Sequence, residues 1–177
     1  SPGRVYKKQS PNSRLTLYLS TREFVHATSR TTVSAIDGVV LVDPAYLKDR
    51  RVYAMVLLTF RYGREDEEVM GLKFFTEAIL DFKQVYPEPS STGGAADELT
   101  PLQQNLLKKL GGDAYPVTLR ISSQAPPSVR LHPARPYQGS PLGVSYELKV
   151  FIGKHSPPPL PLNSVYSGLA NANYNTH

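Results

Sequence analysis

Apolar and polar residues alternate along much of the chain with a period of two. Val144, Tyr146, Leu148, Val150 and Ile152 alternate with Ser145, Glu147, Lys149 and Phe151, a nearly clean pattern for a strand with one buried face. Leu15, Leu17 and Leu19 alternate with Thr16, Tyr18 and Ser20 in the same way. Residues 38–42 and 52–60 are more continuously apolar and predict strands buried on both faces. Asp43-Pro44 and Asp49-Arg50 punctuate the turns between them. Further strands are predicted at 69–75, 78–86, 117–121 and 129–132. Eight or nine short strands at this spacing predict an antiparallel sandwich.

One segment has a different period. Thr100-Pro101-Leu102-Gln103 starts a helix, with Thr100 as N-cap, Pro101 at the first helical position and Gln103 placed to complete a capping box. Leu99, Leu102, Leu106 and Leu110 then recur at helical spacing, Lys108 and Lys109 suit the negative end of the helix dipole, and Gly111-Gly112 ends it. The segment predicts one short amphipathic helix docked on a sheet through its leucines. Residues 88–98 read as a flexible connector. The chain turns Pro- and Asn-rich after Gly153, so residues 1–153 are expected to form the folded domain and 154–177 a disordered tail. Pro158 and Pro161 match a PxxP pattern, a match that is common by chance.

Composition narrows the chemistry. The 177 residues include no cysteine, so disulfides, thiolate zinc sites and a cysteine nucleophile are excluded and burial alone must hold the fold together. That usage is compatible with a reducing cytosol. The longest apolar runs, such as 39–42 and 54–58, are far shorter than a bilayer span, and no signal-peptide pattern opens the chain; both predict a soluble protein without a transmembrane segment. The net charge of +5 is unevenly spread: residues 1–60 hold nine basic and four acidic groups, residues 61–89 four basic and seven acidic. The first stretch is therefore a candidate anion-binding surface, against the plainer reading of a basic excess that serves solubility.

No catalytic signature emerges. His26, His132, His155 and His177 are scattered beyond the spacing of a local metal pair, and no GxSxG, Walker or GxGxxG pattern occurs. The acidic run Glu65-Asp66-Glu67-Glu68 splays its carboxylates in different directions, as a solvated loop does. Lys7-Lys8 and Arg50-Arg51 are the only basic doublets outside the helix, with no accompanying aromatic and glycine pattern, so nucleic acid is not an expected partner.

Several blocks, in order along the chain, resemble the amino-terminal domain of arrestins. They include Val5-Tyr6-Lys7-Lys8, Arg22-Glu23-Phe24-Val25, Asp37-Gly38-Val39-Val40-Leu41-Val42-Asp43-Pro44, Phe60-Arg61-Tyr62-Gly63-Arg64-Glu65-Asp66, Leu106-Leu107-Lys108-Lys109-Leu110-Gly111 and Tyr115-Pro116. The likeness runs from about Val5 to Gly153. It implies an all-β, antiparallel, immunoglobulin-like β-sandwich carrying the one short amphipathic helix. It further implies a non-catalytic adaptor, without a cofactor or metal, that binds activated, phosphorylated G-protein-coupled receptors at the inner face of the plasma membrane. Desensitisation, internalisation and sensory signal transduction follow as expected roles.

The resemblance also assigns residues. Lys7, Lys8, Arg22 and Lys109 would hold receptor phosphates, whose charge of about −1.5 to −2 favours converging cations. Adjacent Lys7 and Lys8 point to opposite sides of a strand, so both reach one phosphate only if that strand lies at an edge. Tyr62, Gly63, Arg64, Glu65, Asp66, Glu67, Glu68, Val69, Met70, Gly71 and Leu72 would form a finger loop that enters the receptor core, with Gly63 and Gly71 letting it reshape. Glu23 stands where the family usually has the aspartate of a buried ion network between domains, one methylene longer. No second sandwich, regulatory tail or final first-domain strand is recognised after Gly153. The alternatives are therefore a truncated product with impaired folding or a dominant-negative role, and a general polyanion binder using inositol phosphates or acidic lipid headgroups.

Overall fold

The structure, a computed structural model, describes residues 4–20, 34–62, 68–69, 72–73, 75–89, 98–122, 125–126, 129–131, 142–154 and 170–174. Two antiparallel sheets face each other across one core. The first, sheet A, contains β1 (Tyr6–Gln9), β2 (Leu15–Leu19), β3 (Ser34–Val42) and β8 (Ala114–Ile121) in the order β1-β2-β3-β8. The second, sheet B, runs β11-β10-β4-β7, with β4 (Arg51–Arg61), β7 (Phe75–Tyr86), β10 (Leu142–Gly153) and β11 (Ala170–Tyr174). The short β9 (Val129–Leu131) pairs the start of β10. A two-stranded hairpin, β5 (Glu68–Val69) with β6 (Leu72–Lys73), stands apart between β4 and β7.

The period of two sets the layers. Leu15, Leu17 and Leu19 of β2, Val52, Ala54 and Val56 of β4, Val117, Leu119 and Ile121 of β8, and Tyr146, Leu148, Val150 and Ile152 of β10 all enter one buried cluster. Between β2 and β8 runs β3, where the inward row is Ile36, Gly38, Val40, Val42. Gly38 is there for space: a Cβ would lie 2.7 Å from the Tyr18 carbonyl oxygen and 2.8 Å from Leu19 Cδ2, and the first of these is backbone that cannot yield.

Both outer faces carry apolar groups. On sheet A, Val39, Leu41, Tyr18 and Ala114 pack against Leu102, Leu106, Leu107 and Leu110 of helix α2 (Pro101–Leu110). On sheet B, Tyr53, Met55 and Phe151 are fully buried with Ile79 and Phe82 packed on them. Helix α2 has the predicted start and stop: the capping box is formed on both sides, and Gly111, at φ 89°, closes the C-terminus by donating its N–H to the Leu107 carbonyl.

Four expectations differ from the observed elements. The strand predicted at 69–75 is instead the β5–β6 hairpin followed by the start of β7, because the chain doubles back on itself there, Val69 pairing Leu72 and Glu68 pairing Lys73. The turn predicted at Asp43-Pro44 opens a single helical turn, α1 (Pro44–Leu47), with Asp43 accepting from the Ala45 N–H as its cap. The paired length of β3 and β8 exceeds the apolar run, from Ser34↔Ile121 to Leu41↔Ala114. Within the tail expected to be disordered, Ala170–Tyr174 forms β11. It pairs β10 from Tyr146↔Tyr174 to Val150↔Ala170 and satisfies backbone groups that an open edge would leave unpaired.

Candidate functional site

Strand β1 is the edge of sheet A, and both Lys7 and Lys8 are exposed on it. The edge condition for two adjacent lysines to reach one anion is thus met within sheet A: among the described residues β1 is hydrogen-bonded as a strand to β2 alone, with β11 of sheet B lying beside it. Lys8 is register partner of the core residue Leu17, and Lys7 is partner of Tyr18 on the outer face. Lys7 Nζ sits 5.9 Å from the centroid of the Tyr18 ring, within cation–π range. Tyr18 in turn packs into the cluster under α2. Arg4 adds a further cation, 6.0 Å from the Tyr6 ring centroid on the same strand.

Lys109 reaches that outer face by a different route. The leucine stripe turns one side of α2 to the sheet, which leaves Lys108 and Lys109 exposed in the last helical turn. Edge strand and helix are therefore two mountings on one face of sheet A, joined by Tyr18. Arg22 and Glu23 lie outside the described residues.

The loop after β4 is described at its ends. Phe60 and Tyr62, on the parity of the inward residues of β4 but beyond the sandwich, are 48% and 50% exposed with ring centroids 5.8 Å apart. Exposed aromatics of this size are unusual on a small domain and suit a contact surface. Glu68 pairs Lys73 and Val69 pairs Leu72 in the hairpin. Gly63, Arg64, Glu65, Asp66, Glu67, Met70 and Gly71 lie outside the described residues.

Among the described residues no group of three or more His, Cys, Asp and Glu side chains could hold a metal ion. Ion pairs include Arg14 with Asp43, beside α1, and Lys149 with Glu147 at 3.5 Å on sheet B. The hydrogen bond from Arg14 holds the Asp43 carboxyl below its ordinary range, whereas burial pushes Glu147 up despite Lys149 beside it. These groups stabilise or strain the scaffold; neither lies with the cations of β1 and α2. No described helix is long and apolar enough to cross a membrane.

Residues 15–166 match the family model described as "Arrestin (or S-antigen), N-terminal domain". The chain belongs to the arrestin family. It is 43% identical over 153 residues to an arrestin homolog of Locusta migratoria, 45% over 152 residues to arrestin-C of Homo sapiens, and 41% over 172 residues to the lateral-eye arrestin of Limulus polyphemus. These alignments cover 86%, 86% and 97% of the chain but 36%, 38% and 41% of those proteins, so the chain spans well under half of its relatives' length. The crystal structure of squid arrestin superposes with a TM-score of 0.69 at 28% identity, covering 98% of this chain and 52% of that one. The antiparallel two-sheet architecture expected of an arrestin sandwich is thus the architecture observed.

Two features of the site had no signal in the sequence. Tyr18, the platform under Lys7, reads only as a polar-face residue of an alternating strand. Gln103 reads as half of a capping box, yet its side chain is 1% exposed and bonded to the sheet.

Proposed function

We propose that this arrestin domain is a non-catalytic adaptor module that binds phosphorylated segments of activated G-protein-coupled receptors. Phosphates engage Lys7, Lys8, Arg22 and Lys109, and the 62–72 loop meets the receptor core. The observation that carries the reading is that Lys7 lies on the outer face of sheet A at its exposed edge strand, with Lys8 next to it, and that α2 with Lys109 is mounted on the same face over β3 and β8. A phosphate brings a charge of about −1.5 to −2 where the unmodified hydroxyl has none and accepts several charge-assisted hydrogen bonds, so phosphorylated and unphosphorylated segments should differ sharply in affinity. The exposed Phe60–Tyr62 pair at the root of the loop supports an apolar component of receptor contact. Such a module works in the cytoplasm, is recruited to the plasma membrane through the receptor, and by occupying it blocks further G-protein coupling and assists internalisation.

The test is binding of the chain to receptor-tail peptides of one sequence with and without phosphoserines, by calorimetry at physiological salt. The reading expects at least tenfold tighter binding of the phosphorylated form. Equal affinity for both forms would remove it, and equally tight binding of heparin with a steep salt dependence would replace it by general polyanion binding.

A further inference from the structure

We propose that Gln103 is a positioning residue that fixes where the cationic end of α2 lies on sheet A and thereby sets the phosphate affinity of Lys109; this rests on the phosphate-binding reading of Lys109. The leucines of α2 hold it to the sheet by burial, which is non-directional and specifies no sliding position. Gln103 supplies the missing direction. Its Nε2 donates to the carbonyl oxygens of Gly38 and Val117, both at 3.1 Å, and to Thr118 Oγ1 at 3.3 Å. Its Oε1 accepts the Thr100 N–H at 3.0 Å.

One buried amide thus closes the helix N-terminus and ties it to two neighbouring strands at once. Gly38 and Val117 are register partners across β3 and β8, so the anchor point is defined across the sheet as well as along it. Gly38 is itself locked by its close approach to Tyr18 and Leu19. Thr118 passes the connection on, donating to Asp37 Oδ1 at 3.2 Å. From that anchor the helix acts as a rod rising about 1.5 Å per residue, so Lys109, six residues on, is carried about 9 Å along the sheet to a fixed place. Released from the anchor, the leucine stripe can still adhere, but the lysine no longer has a defined position.

Gln103→Glu separates the two jobs of the side chain. A carboxylate still accepts the Thr100 N–H and preserves the capping box, but it has no proton to give Gly38 and Val117. The experiment is a double-mutant cycle of Gln103→Glu and Lys109→Ala on the full chain, reading affinity for a peptide carrying several phosphoserines, with helix content and cooperative unfolding checked for each variant. The expected result is a loss of about fivefold for each single variant and no further loss in the double. Losses that multiply would overturn the proposal while leaving Lys109 as a phosphate ligand. Lys109→Ala binding like the wild type would overturn the phosphate role of Lys109 and the positioning role with it. If Gln103→Glu unfolds without a cooperative transition, Thr118→Val, which removes one acceptor of the same amide, takes its place in the cycle. A loss of about twofold that disappears in the Lys109→Ala background is then expected, and a loss that persists there overturns the proposal.

Discussion

The two outer faces of the sandwich solve the same problem differently. On sheet A the buried polar group beneath α2 is Gln103, and both ends of its amide are hydrogen-bonded. On sheet B the face formed by Tyr53, Met55, Phe82 and Phe151 has a stack of aromatic rings 5.3–6.4 Å apart. It also buries the Tyr53 hydroxyl, which has no hydrogen-bond partner among the described residues, and holds the pair Glu147–Lys149, whose carboxyl is pushed up by burial. A satisfied buried polar group gives direction at little cost; an unsatisfied one only costs. The polar contact on sheet A is therefore expected to specify position, and the stability of the outer face of sheet B to come from its rings.

Substitutions on each face can break that contrast. The largest effect should be Phe151→Ala, which removes a fully buried ring touching Tyr53 and Phe82: about 3–5 kcal/mol by urea unfolding, a large part of the stability of a domain this size. Leu106→Ala under α2 should cost less, about 2–3 kcal/mol, because the helix can settle partly into the space. Gln103→Met keeps the volume but leaves carbonyl acceptors and the Thr100 N–H without their partner, so about 2 kcal/mol should be lost. Tyr53→Phe makes the same kind of change on the other face with the opposite sign: deleting the unpartnered hydroxyl should stabilise by about 1 kcal/mol. A destabilising Tyr53→Phe would show that the hydroxyl is satisfied in solution and would remove the contrast.

The smallest effect is on pH dependence. The Glu147 carboxyl titrates above its ordinary 4.5 in the folded chain, so the folded state takes up that proton more readily than the unfolded one. Its contribution therefore becomes more favourable as pH falls from neutral through the folded value, and levels off below the unfolded value. Glu147→Gln lacks that gain. Unfolding measured from neutral to weakly acid pH should show the wild type improving relative to Glu147→Gln as pH falls. A difference that is constant, or that shrinks, contradicts the burial effect.

Much of the fold was legible because strand and helix periods differ and the leucine rows keep them. β2, β4, β10 and α2 follow directly from Leu15 to Leu19, the run from Val52, the alternation from Val144 and the Thr100–Gln103 box. β11 was not legible, since Ala and Asn are poor strand formers and its pairing with β10 is set by an open edge distant in sequence. α1 has the pattern of a turn because four residues are too few for a helical period. The site divides in the same way. Lys7, Lys8 and Lys109 carry their charge in the sequence and the resemblance assigns them, but that Lys7 and Lys109 share the outer face of sheet A while Lys8 projects from the other side of the edge depends on strand order and register. The Gln103 anchor spans 65 residues to Gly38, which no local pattern encodes.

The central claim is that the cations at the β1 edge and on α2 together read phosphate. It is tested most directly by the ratio of affinities for phosphorylated and unphosphorylated receptor-tail peptide in the wild type and in Lys7→Ala plus Lys8→Ala. The account predicts that the ratio collapses toward one while the unfolding midpoint stays put, because both side chains are exposed. An undiminished ratio in the double variant would contradict it.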